Sequence, residues 1–392
     1  MHPDHNTGQQ RCFVRMDVLF WIEVCHIEGC KDGRRLYMVR KSWLQDNSQL
    51  VAHHYNKLEN KGLAERKQSR IFHLRNFNNW IKSVLIGEFL QRIKSEVGED
   101  ARINVLDIGA GKGGDLLKWQ KGNIHHLVCS DIAATSMEQC ESRYRDMRNR
   151  RNHGNPIYTL ETITADCTRT RLKELYKNPS IQFDLTSCQF SFHYCFQSLD
   201  QARVMIRNAA ECLRPGGFFI GTTPDAYDIM RRLKASEGLS FGNEVFSVTF
   251  ENKEEFPVFG SKYHYKLDTV VDCPEFLVYF PAFQHLAELH GLKLVMKKRF
   301  EDFFAEQHAK SHENQVLLNR MQALETYPPH NHPEDAPVPE QYKHAEDKVR
   351  QVASEHPFWR KKLGTMSRQE WEALTLYIVF AFVKVDDSQP QS

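Results

Sequence analysis

The chain has 392 residues, enough for a sizeable core and for two or three domains of about 150 residues, or for one enlarged enzyme domain. With 41% hydrophobic and 26% charged side chains it is ordinary globular material, and no run reaches the roughly 18 apolar residues of a membrane helix. A net charge of +2, from 52 basic and 50 acidic side chains, announces no nucleic-acid binder and leaves that task to local clustering. The ten cysteines form no CxxC pair, and a chain of this size needs no disulfides, so they read as mostly reduced and intracellular.

Residues 1–50 read as an appended extension. Its apolar run VLFWIEV (Val18 to Val24) is a poor signal peptide, because Glu23 interrupts it and no small-residue cleavage site follows; a buried strand or helix turn suits it better. In residues 77–97, Phe77, Ile81, Leu85, Phe89 and Ile93 recur at helical spacing, with Trp80, Val84 and Leu90 beside them. INVLDIGAGKGG is then a strand breaking into glycines, and DLLKWQKG is the helix after it. HLVCSDIA, ETITADCT and FDLTSCQFSFHY read as the second, third and fourth strands, with a helix over 136–151 that has a basic end and another over 199–213. LRPGGFFIGTTP reads as a turn leading into a fifth strand. This alternation over about 120 residues predicts a parallel sheet with helices on both faces. Residues 242–280 look like extra strands and 283–326 mainly helical. YPPHNHPEDAPVPEQ (327–341) is a Pro-rich, acidic insert, and LTLYIVFAFVKV (Leu374 to Val385) is a strand that completes the sheet.

Gly109, Gly111 and Gly114 satisfy GxGxxG, a pattern that nicotinamide enzymes share. Asp107, at the end of the first strand, argues against a dinucleotide: a carboxylate there repels pyrophosphate and attracts a cation. S-adenosylmethionine, which carries an ammonium and a sulfonium, fits better. Asp131, at the end of the second strand, is placed to bind both hydroxyls of a ribose. Asp166, ending the third, could accept from an adenine amino group. A strand-end aspartate alone is as readily a helix cap or turn former; three in succession behind a glycine loop are not.

Longer segments carry a closer match. LRPGGFF looks typical of class I methyltransferases. HYNKLENKGLAERKQSRIFHLRNFNNWIKSVLI, VLDIGAGKGGDLLKW, CQFSFHY, IGTTPDAYDIMRRL, FGNEVFSV, VDCPEFLVYFP and YIVFAF together resemble the cellular mRNA cap guanine-N7 methyltransferase family, from about Val51 to Val385. The resemblance implies a class I α/β fold with a seven-stranded, mainly parallel sheet, a cap methyltransferase domain over 51–385 and a flexible tail at 386–392. It implies methyl transfer from S-adenosylmethionine to N7 of the cap guanosine, with no metal. Cofactor positions carried over are Lys82, Asp107, Gly109, Gly111, Asp131, Asp166, Gln189 and Tyr194. Cap positions carried over are Asn78, Asn79, Lys112, Lys118, Arg143, His193, Glu275 and Tyr377. Capped mRNA, a small activating miniprotein and RNA polymerase II are the implied partners, the nucleus the implied location, and 283–341 a candidate docking surface. The chain departs from the family in carrying Ala110 where a cysteine is expected, mildly at Ser191 and Phe192, and throughout residues 1–50.

The residue types agree with that chemistry. Guanine N7 has an in-plane lone pair and no proton to lose, so none of these residues is assigned as an acid or base. His193, Glu275 and Tyr377 are positioning groups, with Glu275 able to accept from guanine N1–H and the 2-amino group. Lys112, Lys118 and Arg143 suit a triphosphate bridge, while the run from Arg148 to Arg151 reads as a solvated helix face. A class I methyltransferase acting on another substrate, or an inactive methyltransferase-like RNA-binding module, would share the cofactor half. Asp107 disfavours a dehydrogenase.

Overall fold

The computed structural model describes residues 47–57, 65, 67–150, 157–268, 270–329, 337–355 and 362–386. The VLFWIEV run, the tail from 387 and the middle of the Pro-rich stretch lie outside the described residues. The described elements are α1 (Asn47–Lys57), α2 (Phe72–Val97), β1 (Asn104–Ile108), α3 (Leu116–Lys121), β2 (His126–Asp131), α4 (Ala134–Asn149), β3 (Thr159–Thr164), β4 (Phe183–Gln189), α5 (Leu199–Ala210), β5 (Leu213–Pro224) and α6 (Ala226–Ala235). Next come β6 (Ser240–Gly242), β7 (Phe246–Phe250), β8 (Lys262–Leu267), β9 (Val271–Phe276), α7 (Phe280–Glu288), β10 (Leu292–Arg299), α8 (Phe300–Lys310) and α9 (His312–Arg320). The chain closes with β11 (Glu325–Tyr327), α10 (Lys343–Glu355), β12 (Leu363–Thr365), α11 (Arg368–Leu374) and β13 (Tyr377–Lys384).

Seven strands form one sheet in the order β10-β13-β5-β4-β1-β2-β3. Pairing is parallel from β5 through to β3, and β13 runs antiparallel to both β5 and β10. The chain winds outward from β1 to β3, then returns to place β4 on the other side of β1. That reversal opens a crevice at the carboxyl ends of β1 and β4, the usual ligand site of an open α/β sheet.

Burial explains the strands. β13 is apolar from Tyr377 to Val383 because it lies between two neighbours and is covered on both faces. Val379 and Ala381 join the core layer that includes α2, while Ile378, Phe380 and Phe382 join the opposite layer beside α5 and α7. All eight apolar positions read as the stripe of residues 77–97 are buried in α2.

The stretch 283–326 is mainly helical, through α7, α8 and α9, but β10 interrupts it as the edge of the large sheet, and Lys293, Lys297 and Lys298 hide that strand's alternation. Two expectations need correction. LRPGG is not a turn before the fifth strand but part of β5, where a register shift against β4 and a left-handed Gly216 absorb the proline and glycines. Asp166 lies two residues beyond the end of β3 rather than within it.

The extra strands β6–β9 form a separate antiparallel sheet. In β8, Tyr263, Tyr265 and Leu267 face inward while His264 and Lys266 face solvent. Helix α1 packs beside β9 and α4, tied down by a hydrogen bond between His54 and the Val270 carbonyl and by the Thr135 N–H donating to Asn56.

Phe380 is fully buried among Phe192, Phe219, Phe283 and Phe382, with ring centroids 5.1–5.9 Å away. Phe380→Ala should cost about 3–5 kcal/mol of stability, read as a lower urea midpoint at unchanged slope.

Candidate functional site

The turn after β1 passes through three left-handed glycines, Gly109, Gly111 and Gly113, with φ of +70°, +52° and +72°. The third conformationally special glycine is therefore Gly113, not the Gly114 of the GxGxxG spacing. Gly109 and Ala110 donate their N–H groups to the Ser130 carbonyl at the end of β2, which closes the loop over the sheet. A Cβ at Gly109 would lie 2.2 Å from Ser191 Oγ, whereas one at Gly111 would meet nothing within 4 Å. Gly111 thus leaves its backbone open to a ligand.

A cavity of about 270 Å³ opens there. Lys82, Gly109, Gly111, Asp131, Asp166, Gln189 and Tyr194 all line it, seven of the eight positions expected for the cofactor. Asp131 accepts the N–H of Gly111 on one oxygen and that of Ala133 on the other, each at 2.9 Å. Burial raises its carboxyl pKa, and these backbone groups oppose the rise. Asp166 accepts from the Thr168 N–H and hydroxyl and pairs with Arg169 at 3.3 Å. Gln189 donates to Ser187, while its carbonyl oxygen is buried without a hydrogen-bond partner. Open glycine backbone, a carboxylate with lone pairs to spare and an orphaned amide acceptor suit a ligand that brings hydroxyl and amino groups, as a nucleoside with an amino-acid tail does.

Asp107 is the exception. It is buried off the cavity wall, where it accepts the Trp119 indole N–H at 3.1 Å. Burial, then the nearby Asp115, pushes its carboxyl up to about 7 against the Trp119 hydrogen bond and the charges of Lys82 and Lys118.

The cap candidates fall into two groups. Glu275 and His193 are almost fully buried, and His193 Nε2 lies 3.3 Å from Glu275 Oε1 without hydrogen-bond geometry. Both ring nitrogens of His193 are left for another partner. The Tyr263 hydroxyl donates to Glu275 Oε2 at 2.8 Å, because these residues sit directly opposite in the β8–β9 register. Tyr377 is hydrogen-bonded to Tyr265, the next inward residue of β8. The second group is spread over α2, the glycine loop, α3 and α4. Lys118 bonds Asn79 Oδ1 at 3.2 Å, and the buried Asn78 carbonyl oxygen has no hydrogen-bond partner. Lys112 and Arg143 are half-buried and off the cavity wall.

Tyr55 and Phe190 link the cavity to the surroundings of Glu275 and Tyr377. Tyr55 of α1 lines the cavity, its hydroxyl lies 3.2 Å from that of Tyr194, and it feels the charges of both Glu275 and Asp131. Phe190, held at φ +58°, lines the cavity and packs edge-on against Tyr377 at 5.1 Å. A bulky residue in that conformation is strained. Burial raises the tyrosine hydroxyls of this region above their ordinary value, and the thiols of Cys167 and Cys273 to about 12. They are neutral at physiological pH, so none is a ready base or nucleophile.

Sequence reasoning missed Asn47, Ser48, Val51 and Tyr55 on α1, and also Phe190, Tyr263, Tyr265 and Asp115. Alternation in KYHYKL was a signal for the two β8 tyrosines, and Asp115 directly follows the glycine loop. Among the described residues no group of three or more His, Cys, Asp or Glu could hold a metal ion.

Sheet order, glycine loop and crevice define a class I S-adenosylmethionine-dependent methyltransferase. The family model described as mRNA (guanine-N(7))-methyltransferase domain matches residues 39–385, and the chain belongs to that family. The mRNA cap guanine-N(7) methyltransferase of Drosophila melanogaster is 47% identical over 343 residues, covering 86% of this chain and 77% of that protein. The Caenorhabditis elegans protein of that name is 42% identical over 344 residues, covering 86% and 87%. The Oryza sativa mRNA cap guanine-N(7) methyltransferase 1 is 35% identical over 347 residues, covering 87% and 82%.

A raised carboxyl pKa means that folded Asp107 keeps a proton the unfolded chain has lost. The stability this contributes is whole below its ordinary value of 3.8 and is lost as pH rises through about 7. Asp107→Asn keeps an acceptor for Trp119 but cannot ionise. Between about pH 5 and about pH 8 the variant's ligand-free melting temperature should therefore fall less than the wild type's. Parallel melting curves would contradict the assignment.

Proposed function

We propose that this protein transfers a methyl group from S-adenosylmethionine to N7 of the guanosine that caps mRNA, releasing S-adenosylhomocysteine. The observation that carries the reading is a buried carboxylate, Glu275, which accepts from Tyr263 and whose charge is felt by Tyr55 of the glycine-loop cavity wall.

The donor, when bound, supplies an electrophilic methyl on a sulfonium. The chain's own residues hold the reactants. Gly109 and Gly111 offer backbone to the amino-acid half, and Lys82 offers its ammonium to the carboxylate. Asp131 takes the ribose hydroxyls, and Asp166, Gln189 and Tyr194 complete the pocket. Asp107 acts from beneath the loop through Trp119 rather than by touching the ligand. On the acceptor side Glu275 takes guanine N1–H and the 2-amino group, a pair of donors on one edge that adenine lacks. Tyr263 fixes the rotamer of Glu275, His193 faces the base, and Tyr377 packs behind Phe190. Asn78, Asn79, Lys112, Lys118 and Arg143 hold the cap ribose, triphosphate and first nucleotides by charge and hydrogen bonds.

N7 carries a lone pair and no proton, so no general base is needed. Alignment of nitrogen, methyl carbon and sulfur is the main task, and such positioning can supply about 7–11 kcal/mol. Positive charge moves from sulfur to the purine as the bond forms, and Glu275 at the ring edge stabilises it there.

The same reading places the protein in the nucleus, with a small activating miniprotein and RNA polymerase II as partners. The domain expected over 51–385 extends back through α1 into the matched residues 39–385, and the segment 283–341 is the docking surface.

Incubation with S-adenosylmethionine and GpppG should give N7-methylated product by mass analysis, and ApppA should give none. Glu275→Gln turns an amide N–H₂ toward guanine donors, so KM for GpppG should rise about tenfold or more with donor affinity unchanged. An unaltered KM would remove Glu275 from recognition.

A further inference from the structure

Asp115 ends the glycine loop and occupies the N-cap position of α3, where an aspartate ordinarily accepts a backbone N–H of the first turn. It makes no such bond. Its carboxylate is almost fully buried and turns to two lysines instead. Lys82 of α2 donates to Oδ2 at 2.9 Å and lies 2.8 Å from Oδ1, while Lys118 of α3 lies 2.6 Å from Oδ1. Lys82 lines the donor cavity, and Lys118 reaches out to Asn79 and to the Gly114 carbonyl.

We propose that Asp115 is a positioning residue, the shared counter-ion that holds Lys82 in the donor cavity and Lys118 at the cap rim and so couples the two binding steps. This inference rests on the cap methyltransferase reading of the site.

Charge supports it. Two ammonium groups on one buried carboxylate leave the trio at +1. Without Asp115 they would stand side by side with no partner, and one would lose its proton or swing to solvent. Burial already lowers the pKa of Lys118, Lys82 lowers it further, and Asp115 opposes both. Burial alone would raise the Asp115 carboxyl, but Lys82 and Lys118 together hold it well below the usual carboxylate range. The residual positive charge suits two anions on opposite sides: the donor's carboxylate at Lys82 and a cap phosphate at Lys118.

The test is a cycle of three variants of the full chain, with S-adenosylhomocysteine and GpppG affinities read by calorimetry. Asp115→Asn keeps the shape and leaves the lysines unbalanced, so both dissociation constants should rise about tenfold or more. Lys118→Met leaves Asp115 to neutralise Lys82, so S-adenosylhomocysteine binding should weaken severalfold although Lys118 does not line that cavity. The double variant Asp115→Asn/Lys118→Met returns a single unneutralised ammonium at Lys82. It should bring S-adenosylhomocysteine binding back to within about threefold of wild type while GpppG binding stays weak. A purely structural Asp115 would not be rescued by a second substitution. Loss of only one ligand's affinity in Asp115→Asn, or no recovery in the double variant, overturns the proposal. Should Asp115→Asn not fold, unchanged S-adenosylhomocysteine affinity in Lys118→Met overturns it on its own. A wild-type chain that binds S-adenosylhomocysteine but methylates no GpppG overturns the cap reading instead, and leaves the counter-ion claim to the S-adenosylhomocysteine arm.

Discussion

The turn that closes β1 onto β2 is the constraint on which the site depends. Gly109 and Ala110 must donate to one carbonyl, Ser130, while Gly111 donates to Asp131 and keeps its outer face clear. Only left-handed backbone makes that path, and a side chain at Gly109 would drive into Ser191 of the neighbouring strand's loop. The turn therefore fixes three things at once: the floor of the cavity, the orientation of the Asp131 carboxylate and the spacing between β1 and the loop after β4. Lys82, Gln189 and Tyr194 reach the same space because the strand order reverses at β1.

Local signals made much of this legible. A strand breaking into glycines, aspartates near successive strand ends and a helical stripe from Phe77 to Ile93 are written within a few residues of one another. What depended on distant contacts was not. Tyr55 meets Tyr194 across 139 positions of sequence, and nothing in HYNK says that α1 roofs a cavity. Lys82 and Asp115 are 33 residues apart, and the sequence marks the aspartate only as the first residue of the helix after the loop. Asp107 misled in the other direction: it stands where a ligand contact is expected, but Trp119, twelve residues on, takes its carboxylate. The edge strand β10 escaped notice because its lysines dilute the period-two pattern.

The buried ionisable groups of the site come as sets rather than singly. Asp115 has Lys82 and Lys118, Glu275 has Tyr263 and His193, and Asp131 has the N–H groups of Gly111 and Ala133. Each set satisfies part of its carboxylate and leaves lone pairs over. That is the arrangement a binding site needs, since a fully satisfied carboxylate has nothing to offer a ligand and a bare one would take up a proton.

A near-neutral chain can therefore serve a polyanionic substrate. Total charge reports only the far field, while a substrate responds to local charge such as that along α2 and α3, where Lys118 bonds Asn79. Around the glycine-loop cavity carboxylates prevail instead, and Tyr55 feels both Asp131 and Glu275. Because the reacting nitrogen carries no proton, the chemistry asks nothing of these groups as acids or bases. It asks them to hold a cation and a purine in line, and the neutral, high-pKa tyrosines Tyr55 and Tyr194 and the strained Phe190 ring add no charge of their own to disturb that alignment.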